Sequence, residues 1–220
     1  FRGLLAEDKA LKPGTSMKQL PEQQLYTVEE YLALERKAEL KHEYISGEIV
    51  AMAGATREHI LITGNTARRL GNQLQGSPCE TYSTDMRVRT TPSDYVYPDV
   101  IVVGDEPQFE DKEFDTLLNP AVVIEVLSKS TEARDRGEKF SDYRGIASVK
   151  DVVFVSQYRM RVEHYVRQAN GEWILHEATL PSETITLESI GCALTLAEIY
   201  ERITFPPPRQ LRSVDKAAQS

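Results

Sequence analysis

Tyr97-Pro98-Asp99-Val100-Ile101-Val102-Val103 and Ala121-Val122-Val123-Ile124-Glu125-Val126-Leu127 decide how this chain is read. Both runs are apolar, β-branched and of strand length. Each carries one carboxylate. Burying a carboxylate in such a run is costly unless it is paired or binds a cation. Two of them on consecutive strands point to a metal site. Side chains alternate faces along a strand, so Asp99 shares a face with Ile101 and Val103, and Glu125 with Val123 and Leu127. On neighbouring strands the two acids converge near the strand ends. A plainer reading stands beside this one: Asp99 as a turn residue after Pro98, and Glu125 as an edge-strand charge.

Outward from these strands the pattern alternates helix and strand. Thr27-x-x-Glu30 is a capping box, with Tyr31, Leu34 and Ala38 at helical spacing behind it. A hairpin is expected from His42 to Ala53, turning at Ser46-Gly47. A second helix is expected over 56–75, with Ile60, Ala67, Leu70 and Leu74 as its apolar face and Gly76 as its cap. Strands follow near 79–89, 95–103 and 120–127, with an acidic loop at 104–119. A helix is expected after Ser128-Lys129-Ser130-Thr131, stopping at Gly145. The remaining strands are near 151–156, 160–167 and 172–179, with a turn at Asn170-Gly171. Thr195-x-x-Glu198 opens a last short helix. The result is a mixed α/β domain with a largely antiparallel sheet and one helical crossover.

The chain has 220 residues, enough for one domain of ordinary size. Residues 1–16 are expected to be an extension ahead of the fold, 17–205 the domain, and 206–220 a tail after Pro206-Pro207-Pro208. No stretch approaches the ~18–20 apolar residues of a membrane span. Cys79 and Cys192 form neither a disulfide framework nor a metal spacing, so a reducing cytoplasm is expected. The net charge of −8 argues against coating nucleic acid by bulk charge. It leaves room for a nuclease, whose acidic centre is neutralised by metal. Arginines and lysines gather at Arg134, Arg136, Lys139 and Arg144, and at Arg68, Arg69, Arg87 and Arg89. Either group is explained equally by a solvated face.

Paired carboxylates suit Mg²⁺ (or Mn²⁺), which takes one or two of them plus waters and phosphate oxygens. Such a metal lowers the pKa of bound water and stabilises the displaced oxygen in phosphodiester cleavage. A cation is also needed beside the attacking water. Lys139 is the candidate, one helical turn after Asp135 and one before Tyr143, so that the three share a face. Tyr143 is either a hydrogen-bond partner of the site or a half-buried aromatic. His59, opening the second helix, is a proton donor, a phosphate contact or a capping histidine. Glu48 reads as a solvent-facing hairpin residue, and His42, next to Glu43, as one that orients the hairpin. Val162, Tyr165, Trp173 and Leu175 either close the core or form a dimer contact.

Tyr97-Pro98-Asp99-Val100, Val123-Ile124-Glu125-Val126-Leu127-Ser128-x-Ser130-Thr131, and Asp135, Lys139 and Tyr143 together resemble the Uma family of restriction-endonuclease-like proteins. So do His42-Glu43-Tyr44-Ile45-Ser46-Gly47-Glu48-Ile49-Val50-Ala51-Met52, His59, and Ser83-x-Asp85-Met86-Arg87-Val88. The resemblance runs from about Thr27 to Ile203. It implies the PD-(D/E)XK nuclease superfamily and a restriction-endonuclease-like α-β-β-β-α-β core: a mixed central sheet flanked by helices, with extra antiparallel strands. It implies that Asp99 and Glu125 are the two motif acids, that the Val126 backbone carbonyl is a further metal ligand, and that Glu43 reaches the metal directly or through water. The superfamily places lysine two residues after the second acid, where this chain has Leu127. The Uma-like pattern moves it to the next helix, which supports Lys139. Lys129 keeps the parity of Glu125 but lies roughly 13 Å further along an extended strand. The expected activity is Mg²⁺-dependent endonucleolytic hydrolysis of DNA phosphodiesters, with RNA left open, by a homodimer. The competing expectation is a nuclease-fold dimer that no longer cleaves and serves as a nucleic-acid-binding or protein-interaction module.

Overall fold

The computed structural model describes residues 25–129 and 131–206. The expected extension at 1–16 and nearly all of the expected tail lie outside them. The elements are α1 (Val28–Glu35), β1 (His42–Ile45), β2 (Glu48–Ala51), α2 (Arg57–Gln73), β3 (Glu80–Ser83), β4 (Arg87–Thr91), β5 (Asp94–Val96), β6 (Val100–Val103), β7 (Thr116–Leu117) and β8 (Val122–Leu127). A continuous helical stretch follows: α3 (Glu132–Arg134), a π-helical turn (Asp135–Lys139) and α4 (Phe140–Gly145). The chain continues through β9 (Asp151–Ser156), β10 (Val162–Arg167), β11 (Trp173–Ala178), β12 (Thr184–Leu187), β13 (Cys192–Thr195) and α5 (Leu196–Ile199).

The central sheet has six strands in the order β11-β10-β9-β8-β6-β3. All its pairs are antiparallel except β8 with β9. A parallel pair needs a crossover, and α3 to α4 supply it. The path α2-β3-β6-β8-(α3–α4)-β9 is the expected α-β-β-β-α-β core. One face of the sheet packs Val100, Val102, Val122, Ile124, Val153 and Val155 against Ile62, Leu70 and Leu74 of α2. The other face packs Ile101, Val123, Leu127 and Phe154 against Tyr143, Ile146 and Val149. Both faces of β8 are therefore covered, which is why its sequence is apolar at nearly every position. A second sheet, β2-β1-β5-β4-β7, brings Val88, Val96 and Leu117 to the same side as Tyr143. It carries β1, and with it Glu43, to the crossover helix.

The capping boxes at Thr27 and Thr195 both form. Other expectations shift. The run 79–89 is two strands in different sheets, because Thr84 turns through φ +53 and its N–H bonds the Asp99 carbonyl. The run 95–103 also divides, at Pro98, which has no N–H for the ladder. The loop 104–119 contains β7, paired parallel to β4. Helix α1 ends at Glu35, short of Ala38. On α2, Ile60 is 60% exposed and the buried face is Ile62, Thr63, Thr66 and Leu70. The small threonines carry the period that the apolar residues alone misplace. The β12-β13 hairpin has no counterpart among the sequence expectations. Val162 is core, Tyr165 and Trp173 pack half-buried around Phe140, and Leu175 is 47% exposed. No helix among the described residues is long and apolar enough to cross a membrane.

Candidate functional site

β6 and β8 pair with Val100 opposite Ile124, so continuing the register sets Asp99 directly across from Glu125. β6 ends there, and the Asp99 side chain takes over the ladder: Val126 N–H donates to Asp99 Oδ2 at 2.7 Å. Asp99 Oδ1 lies 2.7 Å from Nε2 of His59, one turn into α2. Thr56 caps that helix by accepting from His59 N–H, which fixes where the imidazole starts. The two acids thus meet where the strands end, and Asp99 is held from α2 as well as from β8.

Glu125, on the same face as Asp99 by register, points beneath the crossover helix. It is 4% exposed. Tyr143 Oη donates to Glu125 Oε1 at 2.5 Å, and Lys139 Nζ donates to the same oxygen at 3.2 Å. Glu125 Oε2 accepts no hydrogen bond among the described residues. The Lys139 ammonium also lies 2.9 Å from Glu43 Oε1 and 3.5 Å from Asp135 Oδ1. Those two contacts are ion pairs without the alignment of a hydrogen bond, so both oxygens keep unspent lone pairs while buried. Arg134 Nη1 closes the other side of Glu43, on Oε2, at 2.7 Å.

The π-turn explains this convergence. Phe140 N–H bonds the Asp135 carbonyl five residues back, which widens the turn. Residues four apart then lie nearly in line, and Asp135, Lys139 and Tyr143 stack toward Glu125. Gly137, in the middle of that turn, has open space where a Cβ would stand.

Four carboxylates, Glu43, Asp99, Glu125 and Asp135, meet two permanent cations, Lys139 and Arg134. Burial pushes the Glu125 carboxyl up to about 8, against the pull of Lys139, and the charges of Asp135 and Asp99 add to the rise. Asp135 is raised for the same first reason, with Lys139 opposing and Glu43 adding. Burial also works to raise Glu43, but Lys139 and Arg134 outweigh it and leave the carboxyl below its ordinary value. Burial works to lower Lys139, and the three acids outweigh it, holding the ammonium charged. Tyr143 is raised by burial and then by Glu125, so its hydroxyl remains a donor.

The structure therefore gathers Glu43, Asp99, Glu125, Val126, Lys139, His59, Asp135 and Tyr143. It leaves Lys129 out: that side chain is exposed and lies 5.3 Å over the Tyr158 ring. Arg134 enters unforeseen; only its place in a basic cluster hinted at it. The other basic residues are mostly neutralised locally, Arg136 by Glu132 and Glu163, Arg68 and Arg69 by Glu201, and Arg89 by Glu110. Among the described residues, no three or more His, Cys, Asp or Glu side chains are arranged as a metal-binding group. The donor set fits a hard cation in a narrower way. Two carboxylates, Asp99 and Glu125, with one free carboxylate oxygen and a strand carbonyl beside them, match a Mg²⁺ site completed by waters.

Known proteins resemble this chain in sequence or in fold. Uncharacterized protein sll1609 of Synechocystis is 37% identical over 154 residues, covering 70% of this chain and 87% of its own. A second Synechocystis protein, uncharacterized protein slr1290, is 34% identical over 178 residues, covering 80% and 92%. A crystal structure from Anabaena variabilis, described as "a putative nuclease belonging to DUF820", superposes with a TM-score of 0.63 at 16% identity, over 79% of this chain and 97% of that one. That likeness concerns the fold. The family model Uma2, described as "Putative restriction endonuclease", matches residues 28–197, and the chain belongs to that family.

Proposed function

We propose that the protein is a Mg²⁺- or Mn²⁺-dependent endonuclease that hydrolyses DNA phosphodiesters. The observation that carries this reading is the Lys139 ammonium held within 3.5 Å of Glu43, Glu125 and Asp135, with Asp99 across from Glu125. Asp99 and Glu125 would hold the metal. In an extended strand the N–H and C=O of one residue leave by the same edge. Val126 donates its N–H to Asp99, so its carbonyl faces the same gap and is a third oxygen for the ion. Glu43 is engaged by Lys139 and Arg134, so it supports the site through water. When bound, the metal lowers the pKa of its water and neutralises charge on the phosphate.

The chain's own groups do the positioning. Tyr143 and Lys139 fix the Glu125 carboxylate from one side and leave Oε2 open. Lys139 is charged and in place to orient the attacking water. His59, on Asp99, sits where it can pass a proton or contact a phosphate. Arg57, 65% exposed two residues before His59, and the exposed Lys129 stand where they could meet the backbone of the nucleic acid. A homodimer would present two centres to two strands.

The test is cleavage of DNA and RNA by purified protein with Mg²⁺ or Mn²⁺. Wild type is expected to cleave DNA, and Asp99→Asn and Lys139→Ala to lose cleavage while Asp99→Asn keeps its circular dichroism. No cleavage of any DNA or RNA would sink the proposal. Leu127, where the superfamily places its lysine, favours a second reading, a nuclease-fold dimer that no longer cleaves and serves as a nucleic-acid-binding or protein-interaction module. Calorimetric titration with Mn²⁺ separates the two: binding that Glu125→Gln removes supports the nuclease, and no binding supports the module.

A further inference from the structure

A second polar cluster lies at the far end of the central sheet, outside the site just described. Asp151 opens β9 and pairs with Val122, whereas Glu125 stands near the other end of β8. Asp151 is 1% exposed, and both its oxygens are engaged. Oδ1 lies 2.7 Å from His164 Nε2, and Oδ2 accepts from the hydroxyl of Ser189. His164 is 3% exposed, and its Nδ1 makes no hydrogen bond among the described residues. A carboxylate on Nε2 favours the tautomer that carries its proton there and its lone pair on Nδ1.

That imidazole forms part of the wall of a cavity of about 580 Å³ between β10, β11 and β12. His176 stands directly opposite it in the β10-β11 register, on the same face of the sheet. Their ring centres are 6.3 Å apart. Two imidazoles bound to one ion at ~2 Å per bond have ring centres about 5–6 Å apart. His176 is exposed and free to close that difference. Glu188, next to Ser189, lines the same cavity.

We propose that His164 and His176 form a binding site for one transition-metal ion of the kind that imidazole favours, Zn²⁺, Ni²⁺ or Cu²⁺. Asp151 is the positioning residue: a carboxylate on the far nitrogen fixes the tautomer and raises the basicity of a ligating histidine. Water completes the coordination. A merely structural His164-Asp151 pair would not need a second histidine facing it across a cavity.

The test uses Cu²⁺ with the whole chain, followed by calorimetry and electron paramagnetic resonance. The chain has only four histidines, so assignment is direct. One equivalent with hyperfine couplings from two imidazole nitrogens is expected, apart from any ion taken up at the nuclease centre. His176→Ala, at an exposed position that the fold does not need, should weaken binding at least tenfold and remove one nitrogen coupling. Asp151→Asn should weaken it roughly ten- to hundredfold. An Asp99→Asn/Glu125→Gln variant should keep the two-imidazole signal at full strength, and excess Mg²⁺ should not reduce it, which separates this site from the nuclease centre. Binding that survives both His176→Ala and His164→Gln, or no stoichiometric binding by wild type, would overturn the proposal.

Discussion

Replacing Lys139 by methionine keeps the length of the side chain and removes the one charge that three buried acids share. The ammonium lies 2.9, 3.2 and 3.5 Å from Glu43, Glu125 and Asp135. Arg134 still holds Glu43 in the variant, so Glu125 and Asp135 lose their cation. Breaking a buried ion pair by deleting one partner costs about 3–5 kcal/mol. For a domain of this size that is a fall in Tm of roughly 6–20 °C. The deficit depends on pH, because the stranded acids can take up protons. Their folded pKa values lie above the unfolded ones, as that of Glu125 already does at about 8. Stability from such groups is fully present below the unfolded value of about 4.3 and is lost as pH rises through the folded value. The loss should therefore be small near pH 5 and largest above pH 8, where Glu125 of the wild type is ionised and removal of Lys139 has pushed the pKa of Glu125 in the variant still higher. Urea unfolding followed by circular dichroism, in the presence of a chelator, measures it at both. Adding Glu125→Gln to Lys139→Met should restore about 1–3 kcal/mol relative to additivity. A Lys139→Met protein within about 1 kcal/mol of wild type well above pH 8, or a loss that ignores pH, would refute the account of a buried charge cluster.

Three further outcomes are expected. Mn²⁺ should bind more tightly as pH rises from 6.5 to 8.5 and level off above, because Glu125 must shed its proton near 8 to serve as a ligand; proton release in calorimetry checks the sign. Arg87→Met should cost about 3 kcal/mol by urea unfolding. Its guanidinium is 2% exposed and bonds Thr116, Tyr97 and Asp115. Burial alone would raise Asp115, yet Arg36 and Arg87 draw its carboxyl down to about 2. That contribution is present above the unfolded value and lost as pH falls toward 2, and the variant should show less of this acid sensitivity. Gly47→Ala should destabilise by about 1–2 kcal/mol in thermal melts. The residue sits at φ +96, and a Cβ there would come within 3.2 Å of Leu25.

Much of the core was legible because it obeys local rules. β8 is buried on both faces, and its unbroken apolar run says so; both capping boxes fix helix starts through residues three apart. Parity placed Glu125 with Leu127, and both are found on the face covered by Tyr143. What escaped was set by contacts distant in sequence. Nothing in 79–89 states that its halves belong to different sheets, since that depends on Thr84 bonding the Asp99 carbonyl. Arg134 looks like any surface arginine until β1 brings Glu43 to it, 91 positions away. The β12-β13 hairpin, with its polar alternate positions, reads as loop without the sheet it covers.

Leu127 bears on whether a lysine has been lost or relocated. It is buried in the cluster that holds Tyr143 and Phe154, on the same face as Glu125. A lysine at that position would have to leave this packing to reach the site. Lys139 reaches Glu125 from the opposite direction, out of the crossover helix, and the π-turn is what aligns it with Asp135 and Tyr143. A regular helix advances 100° per residue, so positions 135, 139 and 143 would drift around the axis by about 40° per step. The wider turn cancels much of that drift. π-turns are costly and rare, and they persist where a function or a tertiary contact holds them. Here the turn sets one ammonium among three acids, which simple stability does not require, since apolar residues fill such spaces at least as well. Under the proposed function that favours relocation: a lysine on the reshaped helix would serve the Glu125 that Leu127 cannot.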